Sequence, residues 1–337
     1  MPVGNLLARQ SSSSTDPSPA TRFDVSVILP SPRPVLCIGA IHSDTLAHAA
    51  ETYRPETSTP ARLTHKPGGV ATNIARSLNR LATPTALLGA IGRDDAGDAL
   101  TKRLAQEGLQ VLTCKRPGFV TGQYIAFHNP DGSLAAASVD DRVLSTAPAD
   151  LFDTLWEAVD PAFINGLWFI DANLPAGLLE AVVCSAPKDG LIANAVSNAK
   201  AARLKPVLPK LSCLMLNRGE ALSLTGAAPD TSNEDLISRL QKLGAQRIVL
   251  TNGKADVLAF EGGRITSHPT LATKIVDVTG AGDALTAGII ASLSRGIALV
   301  DAVPFGLKAA ALTLQSPGAL SENMSWTALS QSSGAEA

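Results

Sequence analysis

Short, wholly apolar runs alternate with amphipathic helical stretches along most of this 337-residue chain, and that alternation limits the folds open to it. Val35-Leu36-Cys37-Ile38, Thr85-Ala86-Leu87-Leu88, Leu167 to Ile170, Leu191 to Asn194, Cys213 to Leu216 and Arg247 to Thr251 read as short strands, with Gly39 and Gly89 as stops. Between them, Val70, Ile74, Leu78 and Leu81 recur at helical spacing. Further helices are predicted after Asp94 and over Ala176 to Val183, Glu234 to Leu243, Asp283 to Leu293 and Ala302 to Leu314. In the last of these, Asp301 is read as the cap and Pro304 as a first-turn residue. The alternation predicts an α/β fold, doubly wound, with a mostly parallel sheet and helices on both faces.

Two segments break the rhythm. Phe119 to Phe127 is β-prone and half polar, Asn129-Pro130-Asp131-Gly132 is a turn, and Leu134 to Val139 returns as a partner strand. Together with the non-helical stretch Thr45 to Lys66, this predicts a small β lid, built from segments 45–66 and 113–142 of a domain spanning 34–329. Residues 1–33, with the run Ser11-Ser12-Ser13-Ser14 and several prolines, read as a disordered leader, and 330–337 as a frayed tail. Arg9 and Arg22, with no acid before Asp16, leave a mitochondrial transit peptide open beside a functionless extension. The net charge is −2 and the positive charges are scattered, which points away from nucleic acid and anionic membranes. Cys37, Cys114, Cys184 and Cys213 match no zinc spacing and suit a reducing, cytoplasmic compartment. No apolar run reaches the roughly 18 residues of a membrane helix.

The chemistry concentrates in Asp277-Val278-Thr279-Gly280-Ala281-Gly282-Asp283 ahead of an apolar helix. Glycines at a helix start let backbone N–H groups converge on an anion. A carboxylate placed there is electrostatically costly, so Asp283 reads as a base acting beside a bound phosphate. A dinucleotide fingerprint is a second reading, but Leu285 occupies its third glycine slot and the motif lies too near the C-terminus. A plain strand–helix turn with a capping Asp is the third.

Four stretches in order settle on a resemblance. Thr279 to Asp283 with Ala287-Gly288 resembles the C-terminal signature of the ribokinase-like (PfkB-type) carbohydrate kinases. Gly68-Gly69-Val70-Ala71-Thr72-Asn73-Ile74-Ala75 resembles their N-terminal signature, Gly89 to Gly97 a further stretch, and Asn217-Arg218-Gly219-Glu220 their Asn-x-x-Glu. The resemblance implies that Asp283 deprotonates the acceptor hydroxyl while the N–H groups of Gly280, Ala281 and Gly282 hold the phosphoryl charge. It implies that Asp44, Gly68, Gly69 and Asn73 bind the sugar. Asn217 and Glu220 would serve ATP and water-bound Mg²⁺, Thr251 and Gly253 a nucleotide-side turn, and Asp277 a monovalent-cation (K⁺) loop. Gly69 to Ala75, Asp171-Ala172-Asn173-Leu174 and Ala195 to Leu204 are closer to the pseudouridine kinases within that family, which places Asn173 near the acceptor hydroxyl. Tyr124 is an aromatic available to stack on a base. His42, Ala195, Leu285 and Lys308 depart from family residues. The resemblance implies ATP-dependent phosphorylation of the 5′-hydroxyl of pseudouridine, with another nucleoside or a free sugar (ribose, adenosine, fructose) as the alternative acceptor. A homodimer through the lid is expected. A catalytically silent sugar- or nucleotide-binding relative is a further alternative.

Overall fold

The computed structural model describes residues 30–331. Most of the predicted leader, and the tail beyond 331, lie outside the described residues. Arg33 already belongs to the folded body: its N–H donates to Ser294 C=O at 2.8 Å and its guanidinium to Gly166 C=O at 3.1 Å.

Among the described residues, thirteen strands form two sheets: β1 (Val35–Ile38), β2 (His42–Ala49), β3 (Ala61–Gly68), β4 (Thr85–Gly92), β5 (Gln110–Arg116), β6 (Gln123–His128), β7 (Leu134–Asp140), β8 (Leu167–Asp171), β9 (Leu191–Asn194), β10 (Cys213–Asn217), β11 (Ile248–Thr251), β12 (Val257–Glu261) and β13 (Arg264–His268). The large sheet runs β13-β12-β11-β10-β9-β8-β1-β4-β5. It is parallel except for β12 and β13. Strand residues alternate between two cores. Leu36, Ile38, Trp168 and Ile170 pack with the Ala176–Ser185 and Asn233–Lys242 helices on one face. Val35, Cys37, Leu167 and Phe169 pack with the Val70–Arg80, Ala281–Ser294 and Leu299–Leu314 helices on the other. Both faces are covered, as the apolar runs require.

Chain order reverses at β1, which pairs with β4 on one side and β8 on the other. Ligands of such sheets bind beyond the carboxyl ends at this reversal. The small sheet, β3-β2-β6-β7, springs from the same place, because β2 follows β1 after three residues.

The sequence expectations are corrected in four places. Gly89 does not end its strand: β4 continues to Gly92, since β1 and β5 flank it and all eight of its residues are buried. The lid segment 113–142 divides. Thr113 to Arg116 finish β5, the edge of the large sheet, and only β6 and β7 belong to the lid. The last long helix starts at Leu299, which is buried, so Asp301 lies in its first turn and Pro304 within its body. The β12–β13 hairpin is unforeseen, although Gly262 and Gly263, both at positive φ, mark its turn.

Candidate active site

The loop from Asp277 to Asp283 is built by glycine geometry. Gly280 caps the Ala281–Ser294 helix at φ +75°. A Cβ there would also meet Ala319 Cα at 2.5 Å, so only glycine fits. Among the described residues, the N–H groups of Gly280 and Gly282 have no acceptor, and that of Ala281 reaches Val278 C=O only at 3.4 Å. These donors open at a helix N-terminus, the arrangement an anion needs. Asp277 holds the loop's shape, its two carboxylate oxygens accepting from Thr279 N–H and Gly318 N–H at 2.8 Å each.

Asp283 follows in the first turn. The residue is partly exposed, but its carboxyl group is enclosed by protein. That desolvation pushes its pKa up to about 7, opposed by a hydrogen bond from Asn73 and reinforced by the negative Asp171 and Glu220. Asn73 Nδ2 donates to Asp283 Oδ2 at 2.8 Å. Residues 210 positions apart thus meet at one carboxylate.

Asn73 is placed by Gly68-Gly69. Gly69, at φ +94°, starts the Val70–Arg80 helix against the Ala40 carbonyl, and a Cβ at Gly68 would overlap the Asp44 carboxylate. Asp171, fully buried at the end of β8, ties this corner together by accepting from Ala40 N–H (3.2 Å), Ala71 N–H (2.9 Å) and Asn173 N–H (3.0 Å). It fixes the Gly68-to-Asn73 segment and Asn173 to the sheet.

Asp44 lies on β2 in the lid, its pKa pushed up to about 7 by burial alone. Three buried polar atoms here lack partners among the described residues: Asp44 Oδ1, Asn73 Oδ1 and His42 Nε2. Such orphans mark a place prepared for a polar ligand. His42 packs against Gly122, and burial, with the Lys200 charge nearby, lowers its pKa to about 4. Asn173 is buried, and its Oδ1 accepts from Lys200 Nζ at 2.7 Å, while Lys200 also pairs with Asp141 at 2.7 Å. The Thr45–Ile125 register and the His42–Gly122 bridge put Tyr124 beside Asp44 on the same sheet face. The Gly89-to-Gly97 stretch has a structural part in Asp94. Within it Asp94 accepts from Thr121 N–H (2.8 Å) and hydroxyl (2.5 Å), which aims the chain into β6.

On the other side of Asp283 lies a cavity of about 200 Å³, walled by Val70, Val196, Asn217, Glu220, Thr251 and Gly282 among others. Asn217 and Glu220 form a reciprocal cap on the Arg218–Thr225 helix, at 2.9 and 2.8 Å. Glu220 is buried, which raises its pKa, against the stabilising N–H of Asn217. Gly253, at φ +58°, shapes the turn after β11 without walling the cavity. Lys308 is spent on the Leu329 and Gln331 carbonyls. Asp141, Lys200 and Val196, a β-branched residue at φ +65°, had no assigned role in the sequence; positions 196 and 200 lie within a quoted family stretch, and Asp141 carried no signal.

The pfkB carbohydrate kinase family model matches residues 33–326. The chain belongs to that family. This kinase is 27% identical over 285 residues to the pseudouridine kinase of Escherichia coli K12, covering 83% of its own length and 90% of the relative's. It is 31% identical to a carbohydrate kinase from Agrobacterium tumefaciens, with a TM-score of 0.76 over 88% of this chain and 95% of that one. The Arabidopsis thaliana ribokinase complexed with ribose and ATP superposes with a TM-score of 0.76 at 20% identity, over 90% of this kinase and 100% of that chain. It shares the ribokinase-like fold.

Proposed function

We propose that this kinase transfers the γ-phosphoryl group of ATP to the 5′-hydroxyl of pseudouridine, with Asp283 as general base. The observation that carries the reading is the Asn73–Asp283 hydrogen bond, because it joins the acceptor motif to the catalytic motif. The acceptor hydroxyl lies between Asp44, Asn73 and Asp283. Asp283 takes its proton as the oxygen attacks, and the Gly280, Ala281 and Gly282 N–H groups receive the developing charge.

Gly68 and Gly69 let the backbone approach the sugar, Asn173 faces the acceptor, and Tyr124 offers a ring to the base. The similarity to pseudouridine kinase supports the acceptor. ATP phosphates fit the cavity beside the anion hole, with Thr251 and Gly253 on the nucleotide side. Glu220, a buried carboxylate in the cavity wall, fits water-mediated Mg²⁺, which supplies charge neutralisation to the phosphates when bound. Asp277 acts by shaping the loop. Each of its oxygens accepts one backbone N–H, which leaves lone pairs that would serve a K⁺ ion at this loop. Exposed Leu63, Leu134 and Val139 on the lid sheet support a lid-mediated homodimer.

ADP release over pseudouridine, uridine, adenosine, ribose and fructose tests the acceptor. Highest kcat/KM with pseudouridine is expected. A preference for ribose or fructose overturns the acceptor, and no turnover of any of the five overturns the kinase assignment of these residues.

A further inference from the structure

The charge around the catalytic loop is negative. Asp171 and Glu220 act on Asp283, and Asp277 stands at the loop's entrance. Yet the reaction brings in a triphosphate and spreads negative charge over the transferred group. Backbone N–H groups and Mg²⁺ offset part of this. A side-chain cation would offset more of it, and Lys200 is committed to Asp141 and Asn173.

Lys66 is differently placed. It sits on β3 directly opposite Asp44, so the two share one face of the lid sheet. Opposed unlike charges on paired strands ordinarily meet. Here they do not: among the described residues, the ammonium of Lys66, a partly exposed residue, has neither an ion-pair partner nor a hydrogen-bond acceptor. It reaches instead toward the catalytic loop. A Cβ at Gly318 would lie 2.8 Å from its Nζ. Gly318 N–H donates to Asp277 Oδ2 at 2.8 Å, and Ala319 packs on Gly280, so this loop is the outer wall of the anion hole. The Asp277 charge reaches it, since Lys66 helps lower the Asp277 pKa, but the two form no ion pair, and the ammonium's donors stay open to a further anion.

We propose that Lys66 is a catalytic cation carried by the lid, its ammonium contacting the transferring phosphoryl group beside the Gly280–Gly282 N–H groups. The inference rests on the phosphoryl-transfer reading above but not on the identity of the acceptor. Lys66 makes no covalent bond. The acceptor O–P bond forms, the bond from the γ-phosphorus to the ADP oxygen breaks with its electron pair going to ADP, and the hydroxyl proton goes to Asp283. Because Lys66 arrives with the lid, closure and charge stabilisation become one event, and an open site is a poor ATPase.

The test compares wild type, K66M and K66R with the acceptor that wild type prefers. K66M is expected to lower kcat roughly 100-fold, the scale of losing one oxyanion donor, with acceptor KM within about threefold. K66R is expected to recover at least about a tenth of the wild-type kcat, because its charge is kept. Binding of ADP with aluminium fluoride and acceptor, by calorimetry, is expected to weaken in K66M far more than binding of ADP alone. A K66M protein with wild-type kcat, or one with raised acceptor KM alone, overturns the proposal and leaves Lys66 as a lid contact. Loss without any rescue by K66R also overturns it. Should wild type turn over no acceptor, the phosphoryl-transfer reading fails by itself. Equal ADP–aluminium fluoride affinity in wild type and K66M would then reject Lys66 as well. Unchanged melting temperatures confirm that the variants fold.

Discussion

Asp283 carries two opposed demands. As the proposed base it must be ionised, but desolvation raises its pKa from the ordinary 3.8 to about 7. Rate should therefore rise with pH through about 7 and level off above it, as a profile of kcat/KM will show. Stability runs the other way. The unfolded chain releases this proton near 3.8, whereas the folded chain holds it to about 7, so folding loses stability as pH rises between those values. Asp283→Asn keeps an oxygen to accept from Asn73 and removes the charge. It should stabilise the free protein at pH 8 by on the order of 2–4 kcal/mol, by nothing at pH 4, and lower kcat roughly 100-fold or more. Melting curves at the two pH values and the ADP assay check this, and equal stabilisation at pH 4 would refute the burial argument. Asn73, 210 positions away in sequence, is what links that carboxylate to the acceptor motif.

Among the elements, the same residues cap helices and face the site. Asn217-x-x-Glu220 is locally a reciprocal cap, and that reading needs no ligand. The cavity wall adds the second role, since Glu220 is buried beside Asp283. A substitution separates them. Glu220→Gln keeps an oxygen to accept Asn217 N–H and loses the charge. It should leave the melting temperature within about 2 °C and raise the Mg²⁺ concentration for half-maximal rate severalfold, measured by metal titration. A large fall in melting temperature with unchanged metal dependence would assign Glu220 to the cap alone. The lid shows the limit of local reading. β6 and β7 announce themselves by the turn Asn129 to Gly132, but β5 is a half-exposed edge strand whose apolar pattern is too thin to separate from them. Only its ladder with β4 assigns it to the large sheet.

Across the molecule as a whole, Arg295 shows how distant parts are locked. It is 6% exposed, donates to the Leu81, Ala82 and Ala291 carbonyls and the Thr83 hydroxyl, and lies 3.9 Å over the Trp326 ring. It ties the C-terminal end of the catalytic helix to the loop before β4. Arg295→Met should leave these acceptors unpaired and lower unfolding free energy by about 3 kcal/mol in denaturant titration, with the ADP assay unchanged at low temperature. The α/β class, the buried strands, and the two glycine motifs with Asp283 and Asn73 are legible along the chain without any structure. They are fixed locally, by apolar periodicity and by backbone angles that glycine alone tolerates. The meeting of Asn73 with Asp283, the anchoring of the acceptor corner by Asp171, and the turn of Lys66 from Asp44 toward Gly318 come from tertiary packing alone. Each depends on where the chain reverses at β1 and on which strand lies beside which. Such contacts join segments up to some two hundred residues apart, and no local spacing encodes them.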